Sequence, residues 1–371
     1  MDFSFTEEQQ MLRDTITRFL GKAYTFDTRQ KLVSSEQPWS PDVWNILVEM
    51  GLTELPFSEK AGGLGGSIVD IVSVAEPFGE YLLIEPYLSS ILLAGKALEL
   101  GENDISRSWL QKIISGKAIG AFAHEEGKGT ATTALVEFTA KDTDDGYMLN
   151  GEKRLVLGGG EADILVVSVR KSGRAGDTGG IALMLVDPKA EGIEINAFQT
   201  IDGRSAAHIK IDNVMVPATH LLSEDAYEAL SAIIENASIA LCAEAVGIMR
   251  ALLNITNEYT ATRKQFGVPI ASFQAIAHRL SDMKIAFTKA QATLYYTTAL
   301  AEAGRTTSRD IAIMKGQIGK LGRAIGEGAI QSHGGVGMTD ELIVSHHHKR
   351  LIAIDAMFGD SEYHLRKVGL N

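Results

Sequence analysis

Beyond Pro217 the sequence keeps a helical apolar period through stretches near 226–264, 272–303, 308–332 and 340–358, with a short one after them. A helix of roughly 38 residues is about 57 Å long. Rods of that length hold together only when their apolar faces are buried against several neighbouring helices or across subunits. A helical bundle with oligomer contacts is therefore expected over residues 223–371.

The rest of the chain divides into two patterns. Residues 1–118 read as helices, with apolar positions three and four apart in Met11-Leu12-Ile16-Phe19-Leu20 and in Val43-Ile46-Leu47-Met50. A glycine-rich turn, Ala61 to Ser67, leads into a further helix that Ser67 is suited to cap. It does not follow a strand, so it is not a dinucleotide loop. From 119 to 222 the period changes to short β-rich runs: 119–124, 147–149, 164–169, 181–186 and 209–211. Asp144-Asp145-Gly146, Asn150-Gly151 and Gly158-Gly159-Gly160 supply turn chemistry between them, which favours antiparallel hairpins over βαβ units. The class is α+β: a helical domain at 1–118, a small β-domain at 119–222 and the bundle.

Charge and cysteine usage narrow the setting. With 35 Lys and Arg against 47 Asp and Glu the net charge is −12, so neither nucleic acid nor an anionic membrane is an expected partner. No uncharged apolar run reaches the roughly 18 residues of a membrane span. The single cysteine, Cys242, lies in an apolar stretch and reads as buried filler in a reducing compartment, which suggests the cytoplasm. His346-His347-His348 cannot converge on one metal ion, because successive helical residues point about 100° apart.

Two constellations carry chemistry. Thr262-Arg263-Lys264-Gln265-Phe266-Gly267, followed by Phe273-Gln274-Ala275, places a guanidinium, amides and an aromatic ring around a glycine turn between two long helices. That set suits a diphosphate or an adenine. It also fits a solvated helix end with Phe266 in the core. Gln331-Ser332-His333-Gly334-Gly335-Val336-Gly337 closes another long helix with three glycines, where backbone can approach a ligand. The alternative is an ordinary glycine-terminated helix followed by Thr339 or Asp340 as the next N-cap.

In this order, both constellations resemble the acyl-CoA dehydrogenase family over essentially the whole chain. The Ala61–Ser67 turn, Glu76-Pro77-Phe78-Gly79, Leu149-Asn150-Gly151-Glu152-Lys153 and Asn213-Val214-Met215-Val216-Pro217 add to it. The resemblance implies an N-terminal helical domain, a middle β-domain and a C-terminal four-helix bundle. It implies FAD as cofactor, an acyl-CoA substrate, an electron-transfer flavoprotein as acceptor, and a homo- or hetero-oligomer built as a dimer of dimers. Arg263, Gln265, Phe266, Gln274, Gln331, Gly334 and Gly335 would then hold the ADP part of an FAD in a neighbouring subunit's cleft.

The flavin-facing half departs from the family. Where relatives carry Thr-Glu-Pro-Gly-x-Gly-Ser-Asp, this chain has His124-Glu125-Glu126-Gly127-Lys128-Gly129-Thr130-Ala131. Thr130 can replace a serine hydroxyl towards the cofactor, and Glu125 is left as a residue lining the substrate site. The family's Trp-Ile-Thr is Leu155-Val156-Leu157 here, without a hydroxyl. The implied reaction removes an α-proton by a carboxylate while a hydride passes from Cβ to flavin N5. The carboxylate usually stands where this chain has Gly359, one residue before Asp360, and Ser361 follows as a cofactor contact. Asp360 is thus either the base or simply the cap of the last helix. A second family position for the base matches Ala237, and Glu235 two residues earlier resembles an acidic residue directed at the CoA adenine. A pattern of this kind occurs in subunits of bacterial hetero-oligomeric dehydrogenases, so the chain is expected either to dehydrogenate an acyl-CoA or to complete a partner's FAD site.

Overall fold

The computed structural model describes residues 5–35, 37–127 and 131–369. The N-terminal helices are α1 (Glu7–Ala23), α2 (Phe26–Val33), α3 (Pro41–Glu49), α4 (Ile68–Glu80), α5 (Lys96–Leu98) and α6 (Asp104–Ile114), with a π-helix at Tyr87–Gly95 running into α5. Ser67 caps α4 as a full capping box with Asp70. Strands follow: β1 (Gly120–Ala123), β2 (Thr139–Thr143), β3 (Gly146–Leu157), β4 (Ile164–Arg170), β5 (Ile181–Val186), β6 (Ile193–Gln199), β7 (Ser205–Pro217) and β8 (Leu221–Ser223). Then come α7 (Tyr227–Thr262), a two-strand hairpin of β9 (Lys264–Gln265) and β10 (Val268–Pro269), α8 (Gln274–Glu302), α9 (Ser308–His333), α10 (Ile343–Ala356) and α11 (Ser361–Gly369).

By contacts the chain forms two compact units. One takes the sequence through Lys31, Ser67–Leu83 and everything from Ser238 onward, and the other takes Leu32–Gly66 and Ile84–Ala237.

The second unit is built on one mixed sheet of eight described strands, ordered β6-β7-β3-β2-β4-β5-β8, with β1 beside β4. β4 and β5 are buried along their whole length, as doubly covered strands are, and β5 is a continuous apolar run while β4 is apolar apart from Ser168 and Arg170. Asp144 and Asp145 make the β2–β3 turn as expected, because Thr143 pairs with Gly146. The β1–β4 pairing is parallel, but no helix lies between these strands among the described residues.

Asn150-Gly151 is not a turn. It lies inside β3, opposite a bulge on β7: Leu149 pairs with Val214, and Gly151 with Ile211. The extra residue is on β7, where Asn213 adopts φ 53°. The Asn150 side chain accepts from the Asn213 amide at 2.9 Å and donates to its Oδ1 at 3.2 Å. A second bulge lies on β3 itself, between Lys153–Ile209 and Val156–Ala207, with Leu155 at φ 53°. The two shifts have opposite signs and cancel.

The first unit is the bundle. α4 and α7 approach backbone to backbone at reciprocal glycines: a Cβ on Gly79 would stand 1.9 Å from the Glu244 carbonyl oxygen, and one on Gly247 1.9 Å from that of Glu76. The buried Glu76 takes Tyr295 Oη at 2.9 Å and Arg13 at 2.8 Å, with Arg250 as a further partner. Glu244 pairs bidentately with Arg350 of α10, both bonds 2.7 Å. Among the described residues only α7 is long and apolar enough to cross a membrane, and 83% of that stretch is buried. Cys242 is fully buried, and burial pushes its thiol up to about 12.

Candidate functional site

The expected dinucleotide residues gather at one end of the bundle. Tyr259, near the end of α7, stacks on His333, the last residue of α9, with centroids 4.2 Å apart. His333 Nδ1 donates to the Ala329 carbonyl at 2.9 Å, which fixes the ring. Beside it Met283 and Arg279 of the first turns of α8 pack on Gly328 of α9. The ends of α7 and α9 and the start of α8 therefore meet, and with them Arg263, Gln274 and Gln331.

Local geometry shapes this corner. Phe266 and Gly267 have φ 55° and 85°, both left-handed, and Gln265 pairs with Val268 across them, which makes the two-residue hairpin turn. That turn puts Phe266 outside rather than in a core: it is 93% exposed and touches Phe273 edge-on at 6.1 Å. An aromatic ring so placed adds little to the core and leaves its face open to a ligand. Arg263, Gln265, Gln274 and Gln331 are exposed, and among the described residues nothing bonds to the Arg263 guanidinium. Gly334 adopts φ 68°, and a Cβ on Gly334 or Gly335 would meet nothing within 4 Å, so the backbone there faces open space. An unpaired cation, a bare ring, free amides and open glycine backbone fit a dinucleotide diphosphate and adenine.

The next N-cap is neither Thr339 nor Asp340 but Leu342, without a side-chain cap. The Thr339 hydroxyl donates back to the Val336 carbonyl at 2.9 Å, and Asp340 pairs with Lys349.

Asp360 caps α11: its Oδ1 accepts the Tyr363 amide at 2.7 Å, while the residue stays exposed. Gly359 before it has φ 97°. Ser361 is buried, and Asp355 takes its amide at 3.0 Å and faces its hydroxyl at 3.5 Å. Asp355 gave no signal in sequence beyond its helical period.

The other unit holds Glu125 and Glu235, while Thr130 lies outside the described residues. Glu125 and Glu126 fall past the end of β1, so strand alternation does not govern them. Glu126 is the buried one. It accepts the amides of Glu137 at 2.9 Å and Phe138 at 3.1 Å and pairs with Lys153 at 2.8 Å. Lys153, fully buried, also donates to the His124 carbonyl at 3.1 Å and to Ser168 Oγ at 3.0 Å. The Ser168 hydroxyl is then left to donate to His124 Nδ1 at 2.9 Å. Burial and the Lys153 charge hold His124 down at about 3, and burial lowers Lys153 to about 8. Glu125 stays half-buried, its carboxyl raised by burial. Sequence reading missed this network because Glu126 replaces an expected proline and its partners are 11 to 27 residues away. Glu235 is half-buried on α7, and Ala237 is buried. Among the described residues no cluster suits a metal ion.

Known proteins match this arrangement. The N-terminal, middle and C-terminal domain models of acyl-CoA dehydrogenase match residues 6–117, 121–214 and 227–370. An acryloyl-CoA reductase (NADH) of Anaerotignum propionicum is 26% identical over 374 residues, covering 98% of this chain and 94% of the relative. The CarC subunit of a caffeyl-CoA reductase-Etf complex from Acetobacterium woodii is 26% identical over 348 residues, covering 92% and 91%. The solved ChsE4-ChsE5 complex from Mycobacterium tuberculosis superposes with TM-score 0.90 at 26% identity, over 100% of this chain and 98% of that one. With all three domain models matched in order over nearly its full length, the chain belongs to the acyl-CoA dehydrogenase family.

Proposed function

We propose that the protein is an FAD-dependent acyl-CoA dehydrogenase that works in an oligomer, introducing an α,β double bond into an acyl-CoA thioester. The observation carrying this reading is the exposed corner of Arg263, Phe266 and Gly334, which has the groups a dinucleotide needs, with, among the described residues, the Arg263 guanidinium unpaired and Phe266 touching only Phe273 at its edge. Arg263 would pair with the diphosphate, Phe266 would cover the adenine, and the amides of Gln265, Gln274 and Gln331 would supply polar contacts. Bound flavin supplies the hydride acceptor. Asp360 would remove the α-proton: capping uses one carboxylate oxygen, and the residue is exposed. Glu125 and Glu235 would face the thioester and CoA, and Thr130 and Ser361 the cofactor. Electrons would pass to an electron-transfer flavoprotein; a relative named as part of an Etf complex supports this. The compartment would be the cytoplasm.

A second reading is favoured by Gly359, which has no side chain where the family base stands, and by the capping bond of Asp360. Here the chain lends its corner to a partner subunit that holds the base, as the similarity to a two-protein complex also suggests. The test is to purify the chain alone and with a co-expressed partner, record visible absorption, and add butanoyl-CoA and octanoyl-CoA without oxygen. Flavin bound by the single chain and bleached by thioester supports the enzyme. Flavin only with the partner supports the second reading. No flavin in either preparation ends both.

A further inference from the structure

The loop between α10 and α11 is held from beneath by a buried lysine. Lys315 on α9 is 1% exposed and donates to the carbonyls of Ile354 at 2.8 Å, Asp355 at 3.0 Å and Gly359 at 3.2 Å. The first two are last-turn carbonyls of α10, which that helix leaves without partners and which form its negative end. Water can satisfy such groups. A buried ammonium costs several kcal/mol in desolvation, so termination of α10 alone does not account for it. What the cation adds is the third bond, which ties the end of α10 to Gly359.

The remaining contacts fix the same loop from other sides. Asp355 holds the Ser361 amide at 3.0 Å. Gly319 of α9 lies directly under that carboxylate: a Cβ there would stand 2.0 Å from Asp355 Oδ1. His364 Nε2 donates to the Phe358 carbonyl at 3.0 Å. Phe358 and Gly359, at φ 55° and 97°, thus sit between anchored neighbours, and Asp360 comes next.

We propose that Lys315, with Asp355, is a positioning residue that sets the place of the 358–361 loop and hence of the reacting carboxylate. This rests on the dehydrogenase reading above. Since a displacement of about 1 Å at a reacting group costs on the order of a hundredfold in rate, three bonds to the loop and its root matter kinetically.

The test compares Lys315→Met with the wild type in the FAD-loaded assembly. At saturating butanoyl-CoA or octanoyl-CoA, flavin reduction is expected to slow at least tenfold, with KM and FAD content within twofold. Amide hydrogen exchange at Ser361 and Tyr363 is expected to speed up at least tenfold, with or without FAD. Gly319→Ala, whose methyl would displace Asp355 and press on Ser361 Cβ at 3.2 Å, should give the same pair of effects, read at Tyr363 as well as Ser361, and stands in if Lys315→Met does not fold. Exchange and reduction both within twofold of wild type, or slowing that merely follows loss of FAD, overturns the proposal. Should the wild type reduce with no thioester, the dehydrogenase reading fails by itself, and the exchange measurement still decides whether Lys315 orders the loop.

Discussion

Replacing Arg263 by alanine separates binding from folding. The side chain is exposed and, among the described residues, unpaired, so its removal should change stability by no more than about 0.5 kcal/mol. A hydrogen bond to a charged group contributes about 1.5–3 kcal/mol, and an arginine on a diphosphate is of that kind. At about 1.4 kcal/mol per factor of ten, FAD affinity should fall roughly 10- to 150-fold. Phe266→Ala should weaken binding less, by about 0.5–1.5 kcal/mol for a lost ring contact. The assay is FAD dissociation from the assembled protein, followed by recovery of flavin fluorescence, beside thermal unfolding of the apo chain. A weaker FAD with an unchanged Tm is the expected signature. If the variant keeps FAD within twofold, or if Tm falls by several degrees, the corner is a structural element and the argument from its exposure is wrong.

Asp360→Asn keeps an equally good cap, so stability should move by less than about 0.5 kcal/mol in urea unfolding while flavin reduction drops at least a hundredfold; unchanged reduction would move proton abstraction to a partner chain. Gly247→Ala forces a methyl to 1.9 Å from a backbone oxygen of α4, and a loss of about 3 kcal/mol or more is expected from denaturant midpoints. His124 is held neutral: its folded value of about 3 lies below the ordinary 6.5, so the unfolded chain takes up protons first as pH falls. Stability is therefore full above about pH 6.5 and declines toward pH 3, by on the order of 3 kcal/mol at about pH 4. His124→Gln should flatten that part of the pH–stability curve, and an unaltered slope would show that the imidazole is not the group responsible.

The long helices were legible because each repeats one apolar period over many residues, and their observed bounds lie within about three residues of the expected ones. β2, with sequence TAKDT, and β6, with IEINAFQ, were not. Both have mostly exposed or half-exposed side chains and owe their form to pairing partners. Asn150-Gly151 misled for a related reason: the same dipeptide chemistry that closes a hairpin also accommodates a bulge, and only the partner strand decides between them. In the candidate site, the corner comes from two short runs, 263–274 and 331–335, each of which reads as a local motif. Lys315 and the Lys153–Glu126 pair could not be read, since a buried charge is written like a surface one and its partners lie up to 44 residues away.

The opposed bulges of β3 and β7 also govern how this part of the chain can change in length. Asn213 moves β7 by one residue relative to β3, and the irregularity after Lys153 moves it back, so the pairs at Val156 and Leu157 are in step with those from Gly146 to Leu149. A deletion at Asn213 alone would remove only the unpaired residue and leave Ile211 on Gly151 and Ile209 on Lys153, because exposure alternates through Val214, Asp212 and Ile211 once Asn213 is skipped. A deletion at Leu155 alone would be absorbed in the same way on β3, with Lys153 still on Ile209 and Val156 on Ala207. Relatives can therefore lose either extra residue without the other, and a gap at Asn213 or Leu155 alone needs no matching gap in the partner strand.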